Sequence, residues 1–106
     1  MITIEDFAKV ELVLAQVLEV KDHPNADRLY VILVDLGEEK RQIVAGIRKF
    51  YTKEELIGKK VVVVKNLQPA MLRGEESQGM LLAVKDTEQL SVLTTERPIK
   101  LGSRVS

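Results

Sequence analysis

Few residues of this 106-residue chain could carry out covalent chemistry. It has one histidine, His23, and no cysteine. Disulfides, thiolate nucleophiles and thiolate or multi-histidine metal sites are therefore excluded. Histidine is the commonest general base, but His23 has no second histidine, cysteine or evident nucleophile to work with. A small hydrolase needs such a pair. In Asp22-His23-Pro24-Asn25-Ala26-Asp27, His23 reads as a turn residue: Pro24 fixes φ, and Asn25 and Asp27 can bond to nearby backbone. Its replacement should do little to binding. No catalytic residue, cofactor or metal is expected.

Anion binding is the chemistry the other residues offer. Guanidinium donors match phosphate oxygens in pairs, which makes Arg41 and Arg48 candidates. The stretch Asn66 to Val84 reads N-L-Q-P-A-M-L-R-G-E-E-S-Q-G-M-L-L-A-V, directly after Lys65. Lys65 and Arg73 bring charge, and Asn66, Ser77 and Gln78 can donate to ribose or base edges. Gly74 and Gly79 permit positive φ and expose backbone N–H groups that bind phosphate. The same residues would equally make a β-connection bonded to itself, and spacing alone leaves both readings open.

Net charge is zero, with 16 basic and 16 acidic residues. Taken alone, that balance argues against nucleic acid. The distribution changes the reading. Lys40 to Arg73 holds nine basic residues against Glu54 and Glu55, an excess of seven that the rest of the chain must cancel. Such a field orients a polyanion against one face. Blocks of Lys and Glu also arise in thermostable proteins without any ligand.

The elements that must position these residues are short. The length suits one domain, residues 1–106, with a C-terminal extension from about residue 90. Thr3-Ile4-Glu5-Asp6 is a helix start, for one or two turns ending near Lys9. Glu11–Lys21 predicts a long first strand, apolar on both faces at one end and half exposed at the other. After the Asp22–Asp27 turn come strands over Leu29–Leu36 and Lys40–Ile47, joined by a hairpin at Gly37-Glu38-Glu39. Gly46 should mark a bulge or a close approach. Thr52 and Glu55 form a capping box for a short helix that Gly58 stops. Strands follow over Val61–Lys65, Gly79–Lys85 and Leu90–Thr95, and Pro98 sets off a tail. Phe50 and Tyr51 precede the capped helix and are read as packing residues. This order predicts an all-β fold with short helices: an OB-fold, a five-stranded Greek-key barrel with a capped helix between strands three and four, plus N- and C-terminal extensions. A small β-sandwich is the alternative, but it would not need that helix.

The motifs, in order, are H-P-N-A-D-R-L-Y from His23, R-Q-I-V-A-G-I from Arg41, Tyr51–Leu56, N-L-Q-P at Asn66 and R-G-E-E-S-Q-G-M from Arg73. With I-E-D-F-A-K-V at Ile4 and L-G-S-R-V at the end, the resemblance covers nearly the whole chain. It resembles the tRNA-binding OB-fold domain family. That family occurs free-standing, as a tail or small (beta) subunit of methionyl-tRNA synthetase, and in eukaryotic synthetase-associated factors. The resemblance implies a non-catalytic protein that attaches to folded tRNA, with Arg28, Arg41, Arg48, Lys65 and Arg73 on phosphates. Asn66, Ser77 and Gln78 would make polar contacts, and Met80 would shape the surface. As a synthetase subunit it would deliver tRNA to the catalytic chain. Few aromatics suit reading by backbone and shape rather than by base stacking. After Glu11-Leu12 the family usually has Arg, an apolar residue and Gly. Here stand Val13, Leu14 and Ala15, so weaker RNA binding is expected.

The resemblance also implies a homodimer built around the tail, with Ile99, Leu101 and Val105 at the interface and the N-terminal helix beside them. A related branch of the same fold resembles a bacterial secretion chaperone that binds peptides, so a chaperone-like peptide-binding homodimer is the alternative function. No run of about 18 apolar residues could span a membrane, and MITIEDF lacks the start of a signal peptide. A cytoplasmic protein is expected.

Overall fold

The computed structural model describes residues 1–106. Helix α1, Ile4–Ala8, starts at Thr3, where the Thr3 hydroxyl accepts from the Asp6 N–H and the Asp6 carboxylate accepts from the Thr3 N–H. Then come β1 (Leu12–Asp22), β2 (Tyr30–Asp35) and β3 (Lys40–Ala45), α2 (Lys53–Leu56), and β4 (Lys60–Val64). Thr52 and Glu55 make the second capping box, at α2.

One antiparallel sheet runs β3-β2-β1-β4-β7, where β7 is Met80–Leu81. Its central strand β1 does double duty. Leu12–Gln16 pair with β4, while Gln16–Asp22 pair with β2, and the register shifts between Val17 and Glu19. A bulge there bends the strand so that a five-stranded sheet curls into a nearly closed barrel. This is the OB-fold order expected, with α2 between β3 and β4.

Valine and isoleucine suit strands whose two faces are both covered. Val61, Val62, Val63 and Val64 are all buried, and Ile32, Ile43 and Val34 fill the interior beside them. Leu56 of α2 is fully buried with them, so the short helix contributes one core residue and two capped ends.

One expectation needs correction. Gly46 is neither a bulge nor a close approach. It follows β3, and an added Cβ would meet only the Leu29 side chain at an ordinary 3.6 Å. The bulge lies in β1. The connector after β4 has strands of its own. It folds into a hairpin, β5 (Ala70–Leu72) and β6 (Glu75–Ser77), turned by Arg73-Gly74. The last apolar stretch divides into β7 and a separate hairpin, β8 (Ala83–Lys85) with β9 (Leu90–Val92).

The tail lies along its own barrel. Val13 bridges Arg104, and bonds run from Gly102 N–H to the Leu14 carbonyl, Leu14 N–H to Ser103 and Val105 N–H to Leu12. The tail thus takes the edge of β1 that β2 leaves empty. It is not extended throughout, because it turns at Leu101-Gly102 with Gly102 at φ +87°.

Candidate nucleic-acid interface

Two loops at one end of the barrel meet. The β1–β2 turn carries His23, Asn25 and Arg28, and the β5–β6 hairpin carries Arg73. Arg73 and Gly74 both have positive φ, +55° and +96°. A two-residue hairpin loop needs that geometry because its twist must match the strands. Asn-Gly is the favoured pair there, and a non-glycine left-handed residue costs about 1–2 kcal/mol. Arg73 is the one non-glycine residue of the chain in that region.

The loops are bonded to each other. The Arg73 guanidinium donates to the Asn25 carbonyl at 3.2 Å, and the Asn25 side-chain amide donates to the Arg73 carbonyl, also at 3.2 Å. Between them a cleft of about 430 Å3 is lined by Asn25 to Leu29 and Arg73. Arg28 is exposed and holds no ion pair. Arg28 and Arg73 therefore line one open cleft, with Asp27 also in its wall.

Most other candidate residues are already engaged in the fold. The β3 edge is closed onto the connector largely by side chains. The Ser77 hydroxyl accepts from the Val44 N–H at 2.9 Å and donates to the Gly79 carbonyl at 2.9 Å. Gln78 accepts from the Gln42 N–H through its amide oxygen at 3.0 Å, and its own N–H donates to the Gln42 carbonyl at 2.8 Å. These bonds substitute for a backbone ladder between β3 and β7. The Ser77 side chain, a candidate for RNA contact, is buried, and both its donor and an acceptor position are used.

Arg41 donates to the Lys65 and Gln78 carbonyls and to Glu39, so it ties the connector down. Asn66 accepts from the Glu11 N–H at 2.8 Å and donates to the Lys9 carbonyl at 2.6 Å, which fastens the end of α1. Lys65 lies 4.0 Å from Glu39, and both line a cleft of about 520 Å3 with Lys40, Arg41 and Gln78. Arg48 and Lys53 share Asp22, at 3.5 and 3.2 Å. Four of the nine cations in the basic stretch thus face Glu39 or Asp22, which lie outside it. Met80 is exposed beside an apolar cleft of about 330 Å3 between the β3 end and β7.

Of the aromatic pair before α2, Phe50 is half-buried with the Lys85 ammonium 5.5 Å from its ring centre, and Tyr51 is a packing residue. Tyr51 packs against the core, its hydroxyl accepts from the Val92 N–H, and its carbonyl accepts from the Tyr30 hydroxyl. Of the tail residues, Ile99 and Val105 are exposed and Leu101 is half-buried. No group of His, Asp or Glu is arranged to hold a metal ion.

Sequence reasoning missed Asn25 as the structural partner of Arg73 and His23 as the partner of Leu72. Nothing local marks a bond between residues 48 or 49 positions apart. It also missed the β5–β6 hairpin, because Arg-Gly is not one of the residue pairs that mark a two-residue hairpin turn.

The family model described as "Putative tRNA binding domain" matches residues 12–104. The chain belongs to this tRNA-binding domain family. It is 53% identical over 104 residues to methionine–tRNA ligase of Thermococcus kodakarensis, a match that covers 98% of this chain and 14% of that protein. The chain thus spans about a seventh of that relative's length. Among solved structures it is similar to a MetRS-related protein from Pyrococcus horikoshii, with a TM-score of 0.93 at 31% identity over 100% of this chain and 98% of that one. It is also similar to the CsaA chaperone protein from Picrophilus torridus, with a TM-score of 0.93 at 27% identity over the whole of both chains.

Where this tRNA-binding domain departs from the family's arginine, Val13 is buried in the core cluster and Ala15 is fully buried. No helix is long and apolar enough to cross a membrane.

Proposed function

We propose that the chain is a non-catalytic module that holds folded tRNA, either as a free-standing factor or for a methionyl-tRNA synthetase catalytic chain in the cytoplasm. The observation that carries this reading is the cleft between the β1–β2 turn and the β5–β6 hairpin, where Arg28 and Arg73 line one surface of a tRNA-binding family member. In OB-folds these two loops bracket the oligonucleotide face. Lys65 and Arg48 add further cations, each beside an acidic residue, Glu39 and Asp22, and the module raises the effective concentration of tRNA without reacting with it.

Filter binding of tRNA across several salt concentrations tests the reading. With about four phosphate contacts, log affinity falls against log salt with a slope of about −3. Salt-insensitive binding, or none at low salt, refutes the electrostatic mechanism.

The second reading is a chaperone-like peptide-binding homodimer. It is supported by the likeness to the CsaA chaperone protein and by the apolar cleft beside Met80. Peptide held there would bind with weak salt dependence, so the same titration separates the two.

Pairing of two copies belongs to the first reading as well. Helix α1 buries none of its residues, and Ile4, Ile99 and Val105 are exposed. Arg104 donates to the Ala8 carbonyl and so joins the tail and α1. Two copies joined through that surface would offer two RNA faces to one ligand.

A further inference from the structure

His23 is one of two buried polar side chains, and both of its ring nitrogens are used. Nδ1 lies 3.0 Å from the Asn25 N–H, which can only donate, so Nδ1 accepts. Nε2 lies 2.8 Å from the Leu72 carbonyl, which can only accept, so Nε2 carries the proton. The ring in this tautomer is uncharged and spans the two loops. On one side it shapes the turn that leads to Arg28. On the other it holds the last residue of β5, next to Arg73. The reciprocal Asn25–Arg73 bonds complete a three-bond latch.

Ser77 and Gln78 fasten the base of the hairpin to β3, and its tip needs the latch. All of β5 is exposed, and Ser77 at the end of β6 is the buried residue of the pair. Without side chains packed in the core, a two-stranded ribbon is marginal in water. Arg73 also sits in a backbone region that arginine avoids, and such a conformation persists where its surroundings enforce it.

We propose that His23 is a positioning residue of the RNA interface, which holds the Arg73 turn against the Arg28 turn so that both guanidiniums meet one stretch of phosphate backbone. This rests on the tRNA-binding reading. It reverses the sequence-based expectation that replacing His23 does little to binding.

The test is a double-mutant cycle on tRNA affinity and its salt slope. Arg73→Asn keeps a residue that favours the left-handed turn and removes the cation. It should weaken binding about tenfold and reduce the steepness of the salt slope by about one. His23→Ala removes no charge, yet should produce a similar loss and a similarly shallower slope. The double variant should be no weaker than either single variant, because the two residues act as a unit. Mere destabilisation would not change the slope of protein that remains folded.

Circular dichroism confirms which variants fold. Should His23→Ala not fold, Asn25→Ala cuts the Asn25 side-chain bond of the latch and should show the same coupling to Arg73. A His23→Ala protein that binds like wild type overturns the proposal, as does a double variant with the product of the two single losses. Additive losses in the Asn25→Ala cycle overturn it equally. Wild-type protein that fails to bind tRNA at low salt overturns the tRNA-binding reading, and this proposal with it.

Discussion

Two side chains of the S-Q-G-M segment do structural work. Ser77 and Gln78 satisfy the N–H groups of Val44 and Gln42 on a strand edge that would otherwise lack partners. A buried N–H left without a partner costs about 1–3 kcal/mol. Ser77→Ala should therefore lower the urea midpoint, while tRNA affinity measured on folded protein stays within about twofold of wild type. Lost affinity at unchanged stability would return Ser77 to the RNA surface. Arg41 is a parallel case. Its guanidinium is spent on two carbonyls and Glu39, so replacing it should disturb the connector before it disturbs a phosphate contact.

Helix α2 lasts one turn and depends on its cap. Bonds from the Thr52 backbone N–H, and then from the Thr52 side chain, hold the Glu55 carboxyl below its usual range, against a small opposing effect of desolvation. A carboxyl whose folded value is depressed adds stability above its unfolded value and loses it as pH falls through the folded value. Acidification from neutral pH to about pH 3 should weaken α2 and the seat of Leu56. Glu55→Gln keeps an acceptor without the titration, so its urea midpoint should fall less over that range. An identical fall in both proteins would remove Glu55 from the acid response.

The tail is a second element with a single weak point. An added Cβ at Gly102 would lie 2.6 Å from the Leu36 carbonyl oxygen, and Gly102 already has φ +87°. Gly102→Ala should unseat the tail. Amide exchange at Leu14 and Val105, whose N–H groups bond to Ser103 and Leu12, should then speed up relative to β4. Unchanged protection at both amides would show that the tail tolerates the methyl group.

At the scale of the molecule, the proposed tRNA contact depends on the charge block and on whether two copies pair. Four cations of the basic stretch face acidic partners. Lys40, Lys49, Lys59 and Lys60 hold no ion pair and remain to steer a polyanion. Light scattering over a dilution series should give about twice 11.9 kDa if two copies pair through α1 and the tail. Ile99→Asp with Val105→Asp should lower the mass to that of one chain. Leu101 is a poorer probe, since it is half-buried at the tail turn and its replacement would also disturb that turn. A mass near 11.9 kDa at every concentration would sink the pairing.

The local features of this protein were legible in its sequence. Both capping boxes, the apolar strands, the helix before the fourth strand and the absence of metal-binding thiolates depend on residue type and on neighbours within a few positions. The order of motifs also sufficed to identify the family. What each candidate side chain does was decided by tertiary structure. Ser77 looked available for RNA but meets Val44 across 33 residues, and Asn66 meets Lys9 and Glu11 across more than 50. His23 looked like a local turn residue, yet it bonds Leu72 across 49. A polar side chain offers the same donors and acceptors whether it faces water, ligand or a strand edge. Its partner is chosen when the barrel closes and buries one set of backbone groups while leaving another exposed. Only that closure separated Arg28 and Arg73, which line an open cleft, from Arg41, which is locked beneath the connector.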